Sequence, residues 1–189
     1  MSGPIGKQLE CRRSTKGIRI MFKDQRDLIL AFNAHGVKYL VIGAHAVGVH
    51  ADPRGTKDLD VFIKADEANS QVVFAALKEY GAPLGKMTPA DFNDAHSSVF
   101  QIGIEPDRVD ILQGIAAVHF DEAWKDRVET FLDRDTPAHV ISLEHLIKNK
   151  LASGRHQDIA DAEKLREVAA LKKQARKTRA RVKAKRKIR

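Results

Sequence analysis

Cysteine is nearly absent from this chain, with a single residue, Cys11, in 189. That excludes an intramolecular disulfide and a cysteine-based zinc site, and leaves Cys11 as an ordinary reduced thiol. Aromatic residues are sparse at 6%, and Trp124 and the scattered Phe residues are expected in the core rather than as base-stacking platforms. No run approaches the ~18 apolar residues of a membrane span. The opening stretch, MSGPIGKQLECRRSTKG, has no apolar centre of the kind a signal peptide needs. No membrane contact is expected, and a soluble, cytoplasmic protein is the default. Acidic residues are missing from the last segment: Lys172 to Arg189, KKQARKTRARVKAKRKIR, has 11 basic residues and none acidic.

That last absence divides the formal net charge of +8. Without the segment, 22 Lys+Arg stand against 25 Asp+Glu, so residues 1–171 carry −3. The chain is a mildly acidic body with a strongly basic tail. A block of like charge repels itself and is expected to be disordered or an extended helix. It would release counterions on meeting phosphate, which makes RNA the expected partner of the tail; a solvated tail without a specific partner is the alternative. With 43% hydrophobic residues, a chain of this length can bury a substantial core. It suits one domain, or one domain with a small helical appendage.

The most informative stretch present is Leu40 to Lys64, LVIGAHAVGVHADPRGTKDLDVFIK. It sets Asp58 and Asp60 two apart at the head of an apolar run that reads as a strand. Residues i and i+2 of a strand share a face, roughly 6.5–7 Å apart, while Leu59, Val61 and Ile63 take the other. Two like charges at the edge of an apolar layer repel each other and resist desolvation. One or two divalent cations would remove that penalty, so the pair is a metal-site candidate; a solvated strand end is the competing reading.

Periodicity and turn residues predict the rest of the order. Residues 1–20 form an arm. A helix runs from Lys23 to Ala34, stopped by Gly36, then a strand over Val37–Gly43, a short helix over Ala44–Ala51 and a turn at Asp52–Gly55. The strand Asp58–Lys64 follows, then a helix over Asp66–Tyr80 closed by Gly81. Met87–His96 reads as loop with a helical turn. Ser98–Gly103 and Arg108–Gln113 read as a hairpin-like strand pair joined across Glu105-Pro106-Asp107. A short helix over Phe120–Arg127 and extended chain near Val128–Leu132 and His139–Ile141 come next. Ser142 is the expected N-cap of a helix carrying Leu143, Leu146, Ile147 and Lys150, which Gly154 ends. A last helix spans Asp158–Ala175. The expected fold class is α/β of the α+β kind: a small mixed sheet with flanking helices over 21–141, a C-terminal helical pair over 142–171 and the tail over 172–189.

One constellation stands out. The strand ending at Ile42 turns at Gly43-Ala44 into a helix, where backbone N–H groups and the helix N-terminus favour a phosphate. Asp58-x-Asp60 follows, and Asp110 lies on a later strand between core-facing Val109 and Ile111. This resembles the nucleotidyltransferase superfamily, whose motif is a strand, a Gly-Gly or Gly-Ser turn, Asp-x-Asp and a distant third Asp. The small stand-alone bacterial subgroup is the most similar, with Gly43, His45, Ala46, Val47, His50, Arg54, Thr56, Lys57, Asp58 and Asp60 matching its motif. Leu146-Ile147-x-x-Lys150 and Arg155-x-x-Asp158-x-x-Asp161 continue the match.

The resemblance implies a Mg²⁺-dependent enzyme that moves an NMP from an NTP, such as ATP, to an acceptor hydroxyl and releases pyrophosphate. Asp58, Asp60 and Asp110 would be both the catalytic residues and the ligands of two Mg²⁺ (or Mn²⁺) ions. Gly43, Ala44, Arg54, Thr56, Lys57 and Lys150 would bind the nucleotide. Anchoring its own loop is the equal reading for Arg54, and a surface lysine the competing reading for Lys150. Arg155, Asp158 and Asp161 are expected as ion pairs steadying the helices. His45 and His50, five apart, lack the spacing of a helical zinc pair and are expected in packing or loop hydrogen bonds. RNA or a tRNA end is the first expected acceptor, a protein hydroxyl of a cognate toxin or antitoxin the second, an aminoglycoside-like small molecule the third. Ala44 departs from the pattern, since it has no hydroxyl to offer a phosphate. It motivates the alternatives, a non-catalytic nucleotide-binding or toxin–antitoxin module, or an RNA-binding protein acting through its tail.

Overall fold

A computed structural model of the chain describes residues 21–52, 56–95, 99–104 and 107–187, with side chains through 175 and at 177–178. The expected arm over 1–20, Cys11, Arg54, His96 and the Glu105-Pro106 turn lie outside the described residues. Among those described, no helix is long and apolar enough to cross a membrane.

The elements alternate along the chain. Helix α1 (Lys23–Ala34) leads to β1 (Tyr39–Val41), α2 (Gly43–His50), β2 (Leu59–Ile63) and α3 (Glu67–Tyr80). A 3-10 turn at Pro89–Phe92 precedes β3 (Phe100–Ile102) and β4 (Val109–Leu112). Then come α4 (Phe120–Lys125), β5 (Val128–Phe131), β6 (Pro137–Val140), α5 (Leu143–Ser153) and α6 (His156–Lys187). The six strands form one mixed sheet in the order β3-β4-β2-β1-β6-β5. β1 is antiparallel to β2 and parallel to β6, β2 is parallel to β4, and an antiparallel hairpin partner closes each edge.

Local chemistry sets the bounds. Asp66 caps α3 by accepting from Asn69 N at 2.7 Å. The Asn69 amide, buried in turn, donates to Lys38 O and Lys64 O and accepts from Lys38 N. One side chain thereby holds the entry of β1 against the exit of β2. Ser142 caps α5 through His145 N, and Gly154, at φ +68°, ends it in the left-handed conformation that glycine adopts without strain.

The core runs along the sheet. Leu59, Val61 and Ile63 are wholly buried, as are Leu28, Phe32, Tyr39, Leu77, Phe92 and Ile111. Side chains of this size contribute about 1.5–3 kcal/mol each on burial. α1 and α3 pack on each other, α5 pairs with α6, and α2 touches β2, α5 and α6. Trp124 stacks on Phe120 at 5.7 Å between centroids and carries the Arg127 guanidinium 4.1 Å above its ring, a packing role rather than an open platform. α6 is a single helix of 32 residues. It passes the expected stop at Ala175, and the basic segment is helical through Lys187.

Candidate functional site

Pairing of β2 with β4 assembles the acidic cluster. The two strands are parallel and in register, with Asp60 opposite Asp110. Neighbouring strands lie ≈ 4.8 Å apart, so these carboxylates stand side by side on one face. Asp58 sits immediately before β2 and shares that parity. The opposite parity, Leu59, Val61, Val109 and Ile111, is buried in the core.

Gly43 closes the site from β1. It has φ +61°, and a methyl group built on it would lie 1.9 Å from Asp60 Oδ2. Glycine is thus required twice at this turn, by the left-handed backbone and by the carboxylate pressed against it. Ala44 is buried in the first turn of α2.

The electrostatics follow from crowding. Burial first, then the neighbouring Asp110 charge, push the Asp60 carboxyl up to about 6, against the pull of Lys150. Burial also raises Asp110, with the Arg108 guanidinium opposing it. Asp58 Oδ1 is buried and accepts no hydrogen bond among the described residues.

Two residues to which sequence reasoning gave no role complete the cluster. Arg108 bridges the carboxylates: its Nη2 lies 2.8 Å from Asp58 Oδ2 and its Nε 3.2 Å from Asp110 Oδ1. Strand parity was the available signal, because Arg108 stands two residues before Asp110. Gln25, wholly buried on α1, donates from Nε2 to Lys57 O at 2.7 Å and to Arg108 O at 3.3 Å. It pins the two chain segments that deliver Asp58 and Asp110. No pattern marked it, since a polar residue on an amphipathic helix reads as surface.

The other expected residues divide. Lys150 is buried, bonded to Asp158 and 3.4 Å from Asp161 Oδ2. Burial works to raise the Asp158 carboxyl, but hydrogen bonds from Lys150 and Ser153 outweigh it and hold it below its ordinary value. Asp158 and Asp161 thus pair with Lys150, where Arg155 was the expected cation; Arg155 acts on Asp158 only through its charge. The Lys150 charge is also felt at Asp60. The Thr56 hydroxyl donates to Asp58 O at 3.2 Å and so shapes the loop. The Lys57 carbonyl is held by Gln25. His45 and His50 are buried on α2, and His50 Nε2 lies 2.7 Å from Ile141 O.

Among the described residues, no three His, Cys, Asp or Glu side chains converge as a ready metal-ligand set. The donor chemistry nonetheless fits a hard divalent cation: three carboxylates share one face, and the buried Asp58 Oδ1 accepts no hydrogen bond among the described residues. Such an ion and the Arg108 bridge address the same carboxylates.

Comparison with known proteins agrees with this geometry. The sequence model of a family described as "Nucleotidyltransferase of unknown function (DUF6036)" matches residues 16–172. No curated protein matches the chain by sequence. Among solved structures, the antibiotic-resistance factor ANT(2'')-Ia aligns over 88% of this chain and 96% of its own, at 12% identity and a TM-score of 0.52. The lincomycin-bound lincosamide antibiotic adenylyltransferase LnuA aligns over 79% of this chain and 98% of its own, at 18% identity and a TM-score of 0.51. At these identities the two structures speak for the fold, which is that of the nucleotidyltransferases. The match over most of the chain, joined to an acidic cluster built on two parallel strands beside a glycine turn, means that this chain belongs to the DUF6036 family of nucleotidyltransferases.

Proposed function

We propose that the protein transfers a nucleoside monophosphate from an NTP to an acceptor hydroxyl, releasing pyrophosphate, with Mg²⁺ or Mn²⁺ held by Asp58, Asp60 and Asp110. The observation that carries this reading is the register of β2 on β4, which sets Asp60 beside Asp110 with Asp58 on the same face. Bound divalent ions would supply Lewis-acid activation of the attacking oxygen and neutralisation of the phosphate charge. The chain's own residues do the positioning. Asp60 is pressed between Gly43 and Asp110, which fixes its carboxylate before any ligand arrives. Asp110, with its raised affinity for protons, is suited to accept the proton of the acceptor hydroxyl. The N–H groups at the start of α2, beside Gly43 and Ala44, face a triphosphate without needing a hydroxyl from residue 44. Lys150, buried with Asp158 and Asp161, adds positive potential near Asp60. Arg54, Thr56 and Lys57, which precede the acidic pair in the sequence, would complete the nucleotide contacts.

For the acceptor we favour RNA. The basic segment continues α6 as helix through Lys187, and Lys172, Arg176, Arg179, Lys183 and Arg186 recur at the three-to-four-residue repeat of a helix. At 1.5 Å per residue the stretch from Asp161 to Lys187 extends about 39 Å, a reach that matches a long polyanion better than a small molecule. A protein hydroxyl, as on a cognate toxin or antitoxin, and an antibiotic hydroxyl are the competing acceptors.

The test is label transfer from each of four α-labelled NTPs, with Mg²⁺ or Mn²⁺, to total RNA, lysate protein, or a panel of aminoglycosides and lincosamides. Asp60→Asn and a chain ending at residue 171 run in parallel. We expect label on RNA with the full-length protein, none with Asp60→Asn, and a large loss on truncation. NTP binding without transfer to any acceptor would favour the non-catalytic nucleotide-binding module that Ala44 motivates.

A further inference from the structure

We infer that Arg108 is a built-in counter-cation: it holds Asp58 and Asp110 while the site is metal-free, and it must release both before a divalent ion can bind. The inference rests on the proposed metal role of these carboxylates and adds a competitor to it.

The guanidinium makes contact with both carboxylates at once, at 2.8 Å from Asp58 Oδ2 and 3.2 Å from Asp110 Oδ1. Its planar fork suits such bridging, which a lysine ammonium cannot reproduce with the same geometry. Parity explains the placement, because residues 108 and 110 share one face of β4. The backbone at Arg108 is fixed. Its carbonyl accepts from Leu59 N at 3.0 Å and from Gln25 Nε2 at 3.3 Å, so release of the carboxylates falls to the side chain alone. That side chain is 30% exposed, enough to swing toward solvent without unpacking the core.

Charge supplies the energetic argument. One guanidinium cannot neutralise three carboxylates: it pairs with Asp58 and Asp110, and its pull on Asp60 is the smallest of the influences acting there. The bridge is therefore a partial substitute for a divalent ion, sufficient to keep the cluster assembled and weak enough to be displaced. Guanidinium and metal compete for the same oxygens, so metal alone binds below the affinity that three carboxylates would otherwise give. Once displaced, the guanidinium stands beside the cluster with its planar fork matched to a phosphate oxygen of an incoming NTP. Metal binding thus exposes a nucleotide contact, and nucleotide binding draws the competitor away from the metal. By linkage, each ligand tightens the other by the same factor.

The experiment is Mn²⁺ binding to the full chain, followed by electron paramagnetic resonance of free Mn²⁺, with and without a non-hydrolysable ATP analogue. Wild type is compared with Arg108→Gln and Arg108→Lys. Without nucleotide we expect Arg108→Gln to bind Mn²⁺ more tightly, on the order of tenfold, and Arg108→Lys to fall between. The gain in Mn²⁺ affinity that the analogue produces in wild type should shrink in Arg108→Gln. A residue with only a structural role would leave Mn²⁺ affinity unchanged or weaken it, and either result overturns the proposal. Should Arg108→Gln not fold, Arg108→Lys decides alone, since it too must tighten Mn²⁺ binding. If no protein binds Mn²⁺ with or without the analogue, the metal reading falls, and this inference with it. Mn²⁺ bound equally by all three overturns the inference and leaves the metal reading intact.

Discussion

Asp60 offers a perturbation whose direction runs against intuition: replacing it with Asn should stabilise the metal-free protein. Burial and the Asp110 charge raise its carboxyl from 3.8 to about 6. Well below pH 3.8 the group is protonated both folded and unfolded, and it costs nothing. As pH rises through about 6, the unfolded chain has already ionised Asp60 while the folded chain resists, so stability is lost across that window. Each pKa unit is worth about 1.4 kcal/mol, which puts the full penalty above pH 7 at roughly 3 kcal/mol. Asn keeps the shape and removes the charge. In EDTA at pH 8, Asp60→Asn should therefore be more stable than wild type by up to about 3 kcal/mol, or about 6–12 °C in Tm for a chain of this size. At pH 4, where the unfolded carboxyl is only about half ionised, most of that advantage should be gone. Urea titrations at both pH values measure the difference directly. Added Mg²⁺ should stabilise wild type and leave Asp60→Asn unmoved. An Asp60→Asn protein that is less stable at pH 8, or whose advantage is the same at pH 4, would refute the reasoning, because neither is compatible with an uncompensated buried carboxylate.

Two further outcomes test the architecture. Gly43→Ala must adopt a left-handed backbone, at about 1–2 kcal/mol, and displace the Asp60 carboxylate from a 1.9 Å overlap; chemical denaturation should show a loss of at least that size, with weakened Mn²⁺ binding. Lys150→Met removes the cation that Asp158 and Asp161 share and should cost about 3–5 kcal/mol, whereas the triple change Lys150→Met, Asp158→Asn, Asp161→Asn should recover much of it in the same denaturation assay.

Where the sequence was legible, short-range chemistry decides the structure. Helix α1 occupies Lys23–Ala34 as expected, and Ser142 and Gly154 bound α5 as their capping chemistry requires. The Asp-x-Asp spacing was readable because strand parity is a local property, and the antiparallel pairing of β3 with β4 was readable from the turn between them. What escaped was long-range. Asp110 could be placed on a strand, but its register against Asp60 is a matter of β2 meeting β4 across some fifty residues of chain. Arg108 as a bridge follows only from that register. Gln25 bonds to carbonyls 32 and 83 residues away, a contact no local window contains. The length of α6 was left open, between disorder and an extended helix, for a different reason: a run of like charge argues against helix locally, while the good helix formers Ala, Lys and Arg argue for it.

The parallel pairing of β2 with β4 also governs how this chain can change by insertion and deletion. The segment from Ile63 to Val109 contains α3, the 3-10 turn and β3, none of which sets the height of Asp110 against Asp60; the backbone ladder between the strands does. Loops there can lengthen or shorten by any number of residues and leave the acidic pair side by side. A single residue gained or lost within Val109–Leu112 is another matter, since it turns Asp110 into the core and brings Val109 or Ile111 to the acidic face. Spacing between the second and third carboxylates is therefore free to drift among relatives, while the parity of the third strand is not, and alignments that count residues will misplace what alignments that respect parity find.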